Sequence, residues 1–93
     1  MNTIYIENIE GLTGEIAKSS KLINMLSSKY KLLIQGYISL GDTHVIVCNT
    51  NIKESIINLF MEDIIKDINN IIRGINQYEL YKRVHRKIWR YHF

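Results

Sequence analysis

The chain predicts an α+β domain: a three-stranded antiparallel sheet with helices on one face, in the order β-α-β-β-α-α. Three observations carry this. The first residues alternate as a strand does, and two further alternating runs flank a Gly-Asp pair as a hairpin does. The remaining apolar residues recur at helical spacing. With 93 residues the chain is one domain, 1–93. A chain of this length buries only about 60 to 65% of its unfolded surface, so its core is small and partner contacts would add stability. Apolar residues make up 46% of it, too many for a disordered segment.

Residues 3–8, "TIYIEN", place Ile4 and Ile6 on one side and Thr3, Tyr5 and Glu7 on the other. Gly11 ends that strand at a position where a positive φ is expected. From Leu12 the period changes, and Leu12, Ile16, Ile23 and Leu26 share a helical face. "KLLIQGYISL" and "THVIVCN" then flank Gly41-Asp42, a pair suited to a type II′ turn. That turn sets Leu40 opposite Thr43, Ile38 opposite Val45 and Gly36 opposite Val47. One hairpin face carries Ile34, Ile38, Leu40, Val45 and Val47, and is expected to be the core face. The other carries Leu33, Gln35, Tyr37, Ser39, His44, Ile46 and Cys48, with Tyr5 expected to join it.

After the hairpin, Asn51 followed by Glu54 is a capping-box spacing, and apolar stripes predict a helix over 52–73. Arg73-Gly74 reads as its end. Asn76 and Glu79 repeat the cap spacing, which predicts a separate C-terminal helix over 77–92. A fourth strand within 70–80 is the alternative to a helix break there.

The strand and helix order resembles the ferredoxin-like fold without a clear last strand. Two families with that fold are similar to pieces of the chain. "IYIENI" resembles the first-strand signature of RNA-recognition-motif domains, which implies Tyr5 as a base-stacking aromatic. The third strand, "THVIVCN", offers His44 and Ile46 where that family's second signature would supply aromatics. "NIEGLTGEIAKSSKLI" resembles the first turn and helix of ACT regulatory domains, a likeness spanning residues 3–62. It implies a small-ligand site between paired domains at Asn8, Glu10, Gly11 and Leu12.

Charge is concentrated at the C-terminus. Residues 78–93 hold five Lys/Arg and one Glu, a net of +4, and the rest of the chain sums to −1, since the whole is +3. Lys82, Arg86 and Arg90 share a helix face with Arg83 and Lys87 beside it, while Trp89 and Tyr91 interleave aromatic surface. Basic charge with aromatics suits phosphate contact and stacking. Solvated charge on an amphipathic helix is the plainer reading of the same residues. Tyr5, Tyr37 and His44 are expected to cluster on the outer sheet face as a partner surface or base platform.

Catalytic chemistry finds little support. His44 and Cys48 are about 13 Å apart along a strand, too far for one metal ion or a nucleophile–base pair. Ser39 opposes His44, but no carboxylate is placed to orient that His. Gly11 and Gly14 make no phosphate loop. No cofactor, metal or enzymatic activity is expected. A single cysteine, no signal-peptide pattern and no apolar run of about 20 residues lead to the expectation of a cytoplasmic protein that does not enter a membrane. The wealth of Ile and Asn and the absence of Pro suggest a low-GC genome, which includes viruses and mobile elements.

The functional expectation is a non-enzymatic binding protein that contacts nucleic acid, a nucleoprotein complex or an acidic protein surface through its basic C-terminal helix. The alternatives are an ACT-like ligand-sensing regulatory homodimer and a small viral or mobile-element protein that inhibits a host complex. A homodimer is expected, because without a fourth strand the first strand leaves an open edge.

Overall fold

The computed structural model describes the backbone of residues 1–91 and the side chains of residues 1–76. It contains β1 (Asn2–Ile6), α1 (Gly14–Ala17), α2 (Ser20–Tyr30), β2 (Leu33–Leu40), β3 (Thr43–Thr50), α3 (Glu54–Leu59) and α4 (Met61–Tyr91). The sheet is antiparallel with order β1-β3-β2, so β3 is central and β1 and β2 are edges. The expected α+β architecture is the one observed. Three strands in this order with helices on one face also match the expected topology, and among the described residues no fourth strand joins β1.

The hairpin register follows from its turn. Gly41 takes φ +60, as the first position of a type II′ turn requires. Leu40 pairs with Thr43, Ile38 with Val45 and Gly36 with Val47. Beyond Gly36 the register slips, and Ile34 pairs with Cys48, which leaves Gln35 as the extra residue of a bulge.

That bulge bears on which face is buried, and here the structure corrects the sequence reading. The core face carries Ile46 and Cys48, both fully buried, not Val45 and Val47. Ile4 pairs with Cys48 and Ile6 with Ile46, so the two buried isoleucines of β1 fall on the same side. The bulge brings Ile34 to that side as well, where it packs against the core. Ile38 and Leu40 are left on the open side, exposed.

The helices also depart from the expected boundaries. Between Leu12 and Tyr30 there are two helices, because two hydroxyls compete for the backbone. Thr13 caps α1 by accepting from the Ile16 N–H, and Ser19 caps α2 by accepting from the Leu22 N–H at 3.4 Å. The same Ser19 hydroxyl donates to the Ile16 carbonyl at 2.7 Å, closing the end of α1. In place of one helix over 52–73, α3 stops at Leu59 and α4 begins at Met61. Asn51 does not cap α3; Lys53 stands at that position without a side-chain bond. α4 then runs unbroken through Gly74 and Asn76, so residues 70–80 form neither a strand nor a helix break.

The core lies between the inner sheet face and the helices. Leu22 and Leu26 of α2, Ile57 of α3, and Ile64, Ile68, Ile71 and Ile72 of α4 cover Ile4, Ile6, Ile46 and Cys48. At about 1.5 Å per residue, α4's 31 residues span roughly 46 Å. The eight-residue strands span only about 27 Å. The helix is therefore much longer than the sheet it helps to cover.

Candidate binding surfaces

Tyr5, Tyr37 and His44 do not form one cluster. Tyr5 pairs with Val47 and Tyr37 with Ile46, neighbouring positions on β3, so the two tyrosines point to opposite faces. Tyr5 stands on the open face with 57% of its surface exposed. Tyr37 is turned inward, half-buried against the core, with its Oη 2.7 Å from His44 Nδ1. The two rings stack with centroids 6.0 Å apart and planes 7° from parallel. Tyr37 and His44 thus form a cross-strand hydrogen bond and stack beneath the sheet, beside Gly14.

The open sheet face is uncharged and largely apolar, with Thr3, Thr43 and Asn49 as its polar positions. Leu33, Ile38 and Leu40 of β2 are exposed, Leu40 at 72%, and Val45 and Val47 of β3 are half-buried. None of its strand-paired positions is Asp, Glu, Lys, Arg or His. A largely aliphatic, uncharged face with one aromatic offers neither cationic phosphate contacts nor a series of stacking rings. It suits another protein surface. The face of the hairpin expected to be the core is the one left open.

The four residues that the ACT resemblance points to divide between surface and core. Asn8, Glu10 and Gly11 line a shallow cleft of about 290 Å3, together with Ile9, Asp42, Thr43 and His44. Leu12 is buried at 2% exposure and belongs to the core. Gly11 takes φ +78 and Asn8 φ +59, so the loop carries two left-handed residues within four positions.

A larger groove, about 480 Å3, opens between α2, α3 and α4. Ile52, Ile56, Ile57 and Phe60 give it an apolar wall, and Lys29, Lys31 and Lys66 stand along it with Asp63 and Asp67. The Lys29 ammonium beside Asp67 holds that carboxyl below its usual range, with the Tyr30 hydroxyl acting in the same direction. Nothing in the spacing of these residues marked the groove beforehand.

The side chains of Lys82, Arg83, Arg86, Lys87, Trp89, Arg90 and Tyr91 lie outside the described residues; their backbone is the C-terminal part of α4. Among the described residues no three His, Cys, Asp or Glu side chains are grouped to hold a metal ion. No described helix is long and apolar enough to cross a membrane. Comparison with known proteins finds no matching family model, no matching curated protein and no matching solved structure.

Proposed function

We propose that this is a non-enzymatic binding protein, acting as a homodimer, that contacts nucleic acid or a nucleoprotein complex through the basic C-terminal part of α4. The observation that supports this most is the continuity of α4 from Met61 to Tyr91. The segment with a net charge of +4 continues a helix whose first half is anchored in the core by Ile64, Ile68 and Ile72. A rigid, cationic helix longer than its own sheet is a way to reach a phosphate backbone. The strand-paired positions of the open sheet face carry no cation, so that face offers no phosphate contact of its own.

The test is fluorescence anisotropy with labelled single-stranded RNA and duplex DNA over a range of salt. Affinity should fall with a log–log slope near −0.7 per phosphate neutralised on single strands and near −0.9 on duplex. Changing Arg83, Arg86 and Arg90 together to Glu should abolish binding. Equal binding by wild type and the triple variant, or no binding by wild type at low salt, overturns the reading.

A second reading, a ligand-sensing homodimer, draws on the cleft that gathers Asn8, Glu10 and Gly11 with Asp42 and His44. At about 290 Å3 it sits at the lower limit of small-molecule sites, which suits an amino-acid-sized ligand with an ammonium group facing Glu10 and Asp42. Such a ligand would stabilise the fold by mass action, by about 2.7 kcal/mol at one hundred times its Kd, and so raise the melting temperature. An amino-acid screen without any thermal shift removes this reading.

A further inference from the structure

We infer that the second copy of this chain docks on the open sheet face, with Tyr5 of each protomer seated over Gly36 of the other. The inference rests on the homodimer reading above and specifies its surface. Tyr5, Val47 and Gly36 form one row across the sheet, because Tyr5 pairs with Val47 on one side of β3 and Gly36 pairs with Val47 on the other. The row is a knob, a flat centre and a hole. Tyr5 projects from β1, and a Cβ placed on Gly36 would meet no atom within 4 Å.

A twofold axis running along β3 through Val47 exchanges the two ends of this row. It lays each Tyr5 over the partner's Gly36, twice in one interface, as an isologous contact requires. Sheets that pack face to face keep their strands within about 30° of each other, and this axis complies. An axis across the strands would instead stack Tyr5 on Tyr5 and leave the two Gly36 positions facing a void. The chemistry fits a second copy for a separate reason. The strand-paired positions of the face carry no charge, so self-pairing meets no like-charge repulsion within it, and a charged partner gains nothing from it.

Size sets the strength. Two strands of about 27 Å and one of about 17 Å, at about 4.8 Å spacing, give a footprint near 340 Å2 per copy, less than half that of a standard interface. The dimer is therefore weak and concentration-dependent. Glu7 and Asp42 lie just past the strand ends at one end of the face, and the axis brings both acidic rims to the same end of the dimer. Added salt should tighten the association, opposite in sign to its effect on nucleic-acid binding.

The experiment is sedimentation equilibrium of the full chain from about 5 to about 500 μM. Wild type should dimerise across this range, more tightly at higher salt. Gly36 is outside the positive-φ region and faces open space, so Gly36→Val keeps the fold while filling the hole. It should weaken the dimer at least tenfold with an unchanged circular dichroism spectrum. Tyr5→Ala should do the same. The double variant Tyr5→Ala, Gly36→Tyr exchanges knob and hole and should recover most of the association. A monomeric wild type overturns the homodimer reading itself. A wild-type dimer that is indifferent to Gly36→Val, or that loosens as salt is added, overturns this face and points to the free edge of β1.

Discussion

Tyr30 and Asp67 join the end of α2 to α4: the Tyr30 hydroxyl donates to Asp67 Oδ2, and Lys29 Nζ lies 2.7 Å from the same oxygen. The three groups differ in environment. Tyr30 is buried to 9% exposure, whereas the Lys29 side chain is 59% exposed. The hydroxyl bond should therefore contribute more than the ion pair. Tyr30→Phe should destabilise by about 1 kcal/mol, lowering Tm by roughly 4 to 8 °C, and Lys29→Ala by about 0.5 kcal/mol or less. Thermal melts that rank the two variants the other way would refute this ordering.

The same contact predicts the acid limb of the stability curve. Hydrogen bonds from Lys29 and Tyr30 depress the Asp67 carboxyl, so its contribution is present above its unfolded value of about 4. It is lost as pH falls through the lower folded value. Burial, followed by the bond to Asp67, pushes the Tyr30 phenol up, so its contribution is lost only as pH rises past about 10. Urea melts at stepped pH should show Asp67→Asn losing part of the acid-induced destabilisation seen in wild type. Parallel profiles for the two proteins would count against the linkage.

Cys48 is predicted to be inert in the folded state. It is fully buried beneath the sheet, paired between Ile4 and Ile34, and burial pushes its thiol up to about 12. A thiol reagent at pH 8 should react with it only through unfolding, at a rate that rises steeply with urea. The unfolded thiol titrates near 9, so stability should fall by about 1.4 kcal/mol for each pH unit from there toward 12. Rapid labelling of the native protein would place Cys48 at the surface.

Gly11 should tolerate no β-branched residue. Its φ of +78 is left-handed, and a Cβ there would lie 3.4 Å from Ile72 Cγ2 on α4. Gly11→Val adds backbone strain to a tight contact with the core helix, and should cost about 1 to 3 kcal/mol. An unchanged melting temperature would mean that the loop relaxes to another conformation.

The legible parts of this fold were those fixed by local chemistry. Gly41-Asp42 set the hairpin register, and Ile4 and Ile6 marked the inner side of β1. The choice of hairpin face was not legible by counting aliphatic residues, because Gln35 adds one residue to β2 and moves Ile34 across the sheet. Tyr37 and His44 looked like exposed aromatics, yet their mutual hydrogen bond lets both polar tips lie under the sheet. Of the candidate sites, the turn residues Asn8, Glu10 and Gly11 do share a cleft, while Leu12 serves the core. The groove between α2, α3 and α4 depended on helix packing that no local pattern encodes.

Gly74 tests the continuity of α4. Arg73-Gly74 has the composition of a helix end, but here it lies inside a 31-residue helix. Its φ is not positive, and a Cβ added to it would meet only Lys21 Nζ, at 4.0 Å. In a helix interior, Ala is preferred over Gly by about 0.8 to 1 kcal/mol, chiefly through backbone entropy. Gly74→Ala should therefore raise Tm and helical ellipticity together. A left-handed cap would give the opposite sign, since Ala at positive φ is strained. Because the basic segment of 77–91 continues the same helix, Gly74→Pro separates anchoring from charge: it kinks α4 while leaving every Lys and Arg in place. Nucleic-acid affinity that falls with Gly74→Pro and holds with Gly74→Ala would tie the binding to a rigid extension of the core. Affinity indifferent to both would reduce the segment to a tethered cationic tail.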